Sequence, residues 1–122
     1  MSESSFLTLG PLVVQMHEPP MVLPRLSTHI GATAFWENHP KDTFGTSIAA
    51  MLARLMRNTA ARTLTTTADL YDCCGPGASV TTVSAQVQNI NRKLGKITGG
   101  RMKIWRINRG YYALAIDGWV PC

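Results

Sequence analysis

Acidic residues are scarce in this sequence, and cysteines scarcer. Seven Asp and Glu stand against twelve Lys and Arg, for a net charge of +5 over 122 residues. The carboxylates are scattered without evident pairing, which leaves little from which to build a general acid–base pair or an oxygen-ligated metal site. The cysteines, Cys73, Cys74 and Cys122, are odd in number and lack framework spacing, which argues against a disulfide scaffold. No Cys-x-x-Cys or Cys/His cluster offers ligands to zinc, and no metal motif links His17, His29 and His39. Glycine-rich phosphate loops and the Gly-x-Ser-x-Gly elbow of hydrolases are missing too. Neither a cofactor, a metal nor an enzymatic activity is therefore expected. No apolar run reaches the ~18 residues needed to cross a bilayer, and residues 1–5 lack the basic stretch that opens a secretory signal. The expectation is a cytoplasmic protein with reduced, buried thiols and no membrane partner.

What the sequence does contain is a core and a lopsided charge. An apolar content of 45% with 16% charged residues fits one globular domain. Residues 81–122 hold Arg92, Lys93, Lys96, Arg101, Lys103, Arg106 and Arg109 against Asp117 alone, whereas residues 1–80 carry five cations and six carboxylates. All the excess positive charge thus lies in the C-terminal third, where it creates an attractive field for a polyanion.

The N-terminal part is the harder to read. Residues 6–16 resemble one strand, or two short ones broken at Gly10-Pro11. Pro19-Pro20 and Pro24 punctuate an extended stretch, and residues 25–41 give no clear pattern. Residues 1–45 are accordingly expected to form a short β or extended segment packed on the rest. From Thr46 the pattern sharpens. Ile48, Met51, Leu52, Leu55 and Met56 recur at helical spacing to about Ala60, with Thr46 or Ser47 as the expected cap and the methionines as core filler. Thr66-Thr67-Ala68-Asp69 resembles a capping box and opens a second, short helix that Gly75-Pro76-Gly77 ends.

A third helix is expected over about Val80 to Lys96. At ~100° per residue, Val83, Val87, Ile90 and Leu94 form a narrow apolar seam. The opposite face carries Thr81, Ala85, Gln88, Asn89, Arg92 and Lys96, with no carboxylate. Small residues near the start allow close approach to DNA, amides pair with adenine, and arginine pairs with guanine or phosphate. Residues 102–107 and 111–116 then read as a hairpin around Asn108-Arg109-Gly110, where Asn and Gly can take positive φ. Lys103, Arg106 and Arg109 stud it. Aromatic residues interleaved with these cations could stack on single-stranded bases; the simpler expectation is that Trp105 and Tyr112 pack against the helices and only the cations face outward.

Two stretches carry a family resemblance. Val83-Ser-Ala-Gln-Val-Gln-Asn-Ile-Asn-Arg-Lys-Leu-Gly95 and Ile104-Trp-Arg-Ile-Asn-Arg-Gly-Tyr-Tyr-Ala-Leu114 resemble the recognition helix and wing of OmpR-type response-regulator effector domains, and Leu64–Leu70 is similar to their positioning helix. The pattern departs from the family at Arg109 and Tyr111, where glycines are usual, and at Asn89, where arginine is common. No receiver domain is recognised, so control by phosphorylation is not expected. The resemblance implies DNA binding, usually as a dimer on repeated half-sites.

The combined expectation is an α+β fold: a three-helix winged helix-turn-helix over residues 46–122 with a C-terminal hairpin wing and a short N-terminal β element. Its function would be sequence-specific binding of double-stranded DNA in transcription regulation. Thr81, Thr82, Ser84, Gln88, Asn89 and Arg92 would meet bases. Lys93, Lys96, Lys103, Arg106 and Arg109 would meet phosphate or the minor groove. A homodimer on DNA and a contact with RNA polymerase are the expected protein partners. The competing reading is a winged-helix interaction module that binds a polymerase subunit or another regulator.

Overall fold

The computed structural model describes residues 3–23, 28–74 and 79–117; the Gly75-Pro76-Gly77 breaker lies outside them. The fold is α+β, with three helices and two antiparallel sheets among the described residues. The first sheet is a meander in the order β1 (Glu3–Leu9), β2 (Leu12–Leu23), β3 (Thr28–Trp36), β4 (His39–Gly45). Helices α1 (Thr46–Ala60), α2 (Thr67–Cys74) and α3 (Val80–Thr98) follow, with β5 (Thr65–Thr66) just before α2. β6 (Met102–Asn108) and β7 (Tyr111–Ile116) close the second sheet in the order β5-β7-β6.

The N-terminal element is therefore not short: four strands occupy residues 3–45. Its inward face carries Leu12 and Val14 on β2, Ala32, Ala34 and Trp36 on β3, and Phe44 on β4, all buried. In β3 the period-2 signal is muted because alanines fill two of its inward positions. The turn that joins β3 to β4 also escapes notice. Glu37 and Asn38 both take positive φ (51° and 69°), as a two-residue hairpin turn demands, without the usual glycine. Pro19-Pro20 falls where the β2–β3 register shifts between Met16 and Met21, so the missing N–H groups sit at an irregularity rather than in the ladder.

Gly31 explains how this sheet reaches the helices. A Cβ there would lie 2.8 Å from Thr46 Cα, so only glycine lets β3 approach the first turn of α1. The start of α1 is capped by Gly45 with no side-chain hydrogen bond, so neither Thr46 nor Ser47 plays the expected capping role. The expected stripe is otherwise present. Met51, Leu52, Leu55 and Met56 are buried, Ile48 partly so, and all join one core with Leu70, Val83, Ile90, Leu94, Met102, Ile104 and Leu114.

Caps set the ends of α2 and α3. Thr66 and Asp69 form the anticipated reciprocal box: Asp69 N–H donates to Thr66 Oγ1 and Thr66 N–H to Asp69 Oδ2, each at 3.1 Å. Arg54 of α1 adds a 2.9 Å ion pair to Asp69. The Thr66 hydrogen bonds and this guanidinium hold the Asp69 carboxyl below its ordinary pKa. A second box, Ser79 with Thr82, starts α3. Gly95 does not break that helix; it ends at Gly99, in the left-handed region at φ 65°.

Candidate nucleic-acid interface

Helix α3 buries the predicted seam. Val83, Ile90 and Leu94 are inaccessible, Val87 is partly covered, and Ile97 extends the row. Asn91 and Lys93 lie on opposite flanks of that seam at ~100° per residue, and each ties the helix to a different sheet. The Asn91 side chain accepts from Ile104 N–H (2.7 Å) and donates to Ile104 C=O (3.3 Å). It thus completes the open edge of β6 as a neighbouring strand would. Thr98 continues this edge by accepting from Met102 N–H at 3.0 Å while donating to Leu94 C=O at 2.7 Å. On the other side of the hairpin, Thr59 of α1 accepts from Leu114 N–H at 3.2 Å. Two polar side chains of α3 and one of α1 therefore fix the hairpin relative to both helices.

Lys93 points away from the open face. It donates to the Thr43 carbonyl, lies 3.9 Å from Asp42 and sits 5.1 Å over the Phe44 ring. Its charge is spent on anchoring α3 to β4. The expectation of Lys93 as a phosphate contact overlooked this because β4 itself went unread.

Two of the expected base-contacting residues also have internal work. The Thr82 hydroxyl accepts from Ser79 N–H at 3.2 Å and closes the capping box. Asn89 is half-buried and donates to Gln86 Oε1 at 3.2 Å. Thr81, Ser84, Gln88, Arg92 and Lys96 are exposed together on the remaining arc of the helix.

The hairpin supplies the facing wall. Lys103, Arg106 and Arg109 are exposed, and none of them enters an ion pair among the described residues. The turn is held by Gly110, at φ 81°, while Asn108 keeps ordinary φ and accepts from Arg109 N–H at 2.8 Å. The Gly110 carbonyl accepts from Thr67 N–H at 2.9 Å, linking the tip to the start of α2. Tyr112 packs on the core as expected. Trp105 does not: its residue is 45% exposed, with Lys103 Nζ 5.1 Å from its ring. Inward positions of β6 are taken by Met102 and Ile104, and strand alternation turns Trp105 outward.

Between α3 and β6 runs an open groove of about 360 Å³. Ser84, Val87 and Gln88 line it from the helix, and Lys103, Trp105 and Arg106 from the strand. No carboxylate among the described residues borders it. Asp117, the single acid of the C-terminal third, lies elsewhere, in a two-bond pair with Arg101 at 3.1 Å. Arg101 also reaches Glu37 at 3.5 Å and stacks 5.3 Å over Trp36. This cation belongs to the scaffold, and its hydrogen bonds lower the pKa of Asp117.

Cys73 and Cys74 are free, and burial pushes both pKa values above the ordinary thiol value. Among the described residues no group of three or more His, Cys, Asp and Glu is placed to hold a metal ion, and no helix is long and apolar enough to cross a membrane. No protein-family model matches the chain, and no curated protein is significantly similar to it.

Proposed function

We propose that this chain binds double-stranded DNA as a winged helix-turn-helix, with α3 in the major groove and the β6–β7 hairpin as the wing, and that it serves transcription regulation. The reading rests on one observation. The exposed arc of α3 and the facing hairpin present five cations, Arg92, Lys96, Lys103, Arg106 and Arg109, with no ion-pair partner among the described residues and no acid among the groups between them. Cations left without an ion pair among the described residues, while Lys93 and Arg101 each reach a carboxylate, are what a polyanion site requires.

Within this reading Gln88 and Arg92 read base edges, and Thr81 and Ser84 allow the helix start to approach closely. Lys96, Lys103, Arg106 and Arg109 neutralise phosphates. Residence on the nucleoid in the cytoplasm, a dimer on repeated half-sites and a contact with RNA polymerase belong to the same proposal.

Selection from a random duplex pool, followed by titration of the selected site across ionic strength, tests it. With Lys96, Lys103, Arg106 and Arg109 on phosphates, log K falls with log salt at a slope of roughly −3.6. Gln88→Ala weakens the selected site by about 1–3 kcal/mol and relaxes base preference. A slope near zero, with a protein partner captured independently of salt, would instead favour the interaction-module reading.

A further inference from the structure

We infer that the groove between α3 and β6 receives a single unpaired nucleotide of a DNA strand, a step that rests on the surface being a DNA interface. Trp105 is the reason. A large aromatic side chain stands 45% exposed on the wall of the groove instead of in the core. In a paired duplex both faces of every base are covered by its neighbours, so an indole can stack on a base only when that base has left the stack. Beyond the Lys103 ammonium 5.1 Å from its centroid, contact with phosphates alone does not engage this ring.

The other walls complete a nucleotide's needs. Val87 and Tyr112, both half-buried, give an apolar lining. Across from Trp105 the Gln88 amide and the Ser84 hydroxyl are exposed and offer donors and acceptors to a base edge. Lys103 and Arg106 stand at the same groove to meet the phosphate, and no carboxylate among the described residues opposes it. A volume of about 360 Å³ lies within the usual range for small-ligand sites. Asn91 keeps the two walls at a fixed separation because both ends of its amide hold the Ile104 backbone.

The test compares two short duplexes of one sequence, one fully paired and one with a central run of unpaired thymidines, by fluorescence anisotropy at one salt concentration. The duplex with unpaired bases binds about tenfold tighter. Trp105→Ala removes this preference yet leaves binding of the paired duplex nearly unchanged, and Trp105→Phe keeps part of the preference. Equal binding of the two duplexes by the native protein overturns the inference while leaving the proposed function standing. So does a preference that survives in a Trp105→Ala variant whose urea midpoint matches the native protein. Failure of the underlying reading looks different, since neither duplex then binds.

Discussion

Replacing Asn91 with alanine isolates the link between the helix and the hairpin. The native amide accepts from Ile104 N–H at 2.7 Å and donates to Ile104 C=O at 3.3 Å, from a half-buried position. Alanine removes both bonds at once and leaves two backbone groups of an edge strand without a protein partner. A hydrogen bond contributes about 1 kcal/mol net, and a buried polar group left unsatisfied costs about 1–3 kcal/mol. The short bond to Ile104 N–H carries most of the effect. The groove beside Asn91 is open, so water can reach the vacated groups, which holds the total near 2 kcal/mol. With a urea m-value of about 1–3 kcal/mol/M, the unfolding midpoint falls by roughly 1 M. Gln88→Ala, three residues earlier on the exposed arc, serves as the control and stays within about 0.5 kcal/mol of the native protein. The reasoning is refuted if Asn91→Ala unfolds at the same urea concentration as Gln88→Ala. It is equally refuted if hydrogen exchange at Ile104 N–H is no faster than in the native chain.

Two further outcomes follow from the side chains with internal partners. Lys93→Met retains the aliphatic stem over Phe44 but loses the bond to Thr43 and the attraction to Asp42; it lowers stability by about 1 kcal/mol and leaves the salt slope of DNA binding unaltered, whereas Arg106→Ala reduces that slope by about 1. Asp69 has a depressed pKa in the folded state, so its stabilising effect is complete above the unfolded carboxylate range, near pH 4, and is lost as pH falls through its lower folded value. Acid titration of unfolding for native protein against Asp69→Asn shows this as a difference that is present at neutral pH and vanishes in strong acid, and a constant difference at every pH would contradict the assignment.

The parts of the fold legible in the sequence were those with large side chains at regular spacing. The stripe on α1 and the seam on α3 are long, strongly periodic segments whose apolar residues the structure buries, and the hairpin strands were legible too, although Trp105, Ile107 and Tyr111 turn outward. Local hydrogen-bonding signals also survived translation, as in the Thr66–Asp69 box. The N-terminal sheet did not. Its third strand places Ala32 and Ala34 at two of its buried positions, and its β3–β4 turn uses Glu37-Asn38 in place of a glycine pair. Both choices erase the contrast on which periodicity and turn chemistry depend.

For the candidate site the same division explains which residues were misplaced. Exposure of Gln88, Arg92 and Lys96 follows from the helix alone, because they stand opposite its seam. The fates of Lys93 and Asn91 do not, because flank positions take their meaning from whatever lies beside the helix. Lys93 flanks β4, an element with no readable pattern, and Asn91 flanks the open edge of β6, which needs a donor and an acceptor at one residue. The only hint in the sequence was chemical: an amide next to the seam can satisfy both groups of a strand edge, whereas an ammonium can satisfy only carbonyls.

That distinction separates the cations that build the molecule from those left over. Arg54, Lys93 and Arg101 each reach a carboxylate, and the latter two also lie over an aromatic ring, so removing either of those two disturbs packing as well as charge. Among the described residues Arg92, Lys96, Arg106 and Arg109 do neither. Like charges gathered on one surface repel one another and contribute nothing to the folded state that a neutral side chain would not. Adding salt screens that repulsion, with a Debye length of about 8 Å at physiological strength. The free protein should therefore gain stability modestly as salt rises, while its complex with DNA weakens over the same range. Opposite salt responses of unfolding and of DNA binding in one preparation identify this surface as one whose charge is kept for a partner. Parallel responses would mean that its cations are ordinary solvated side chains.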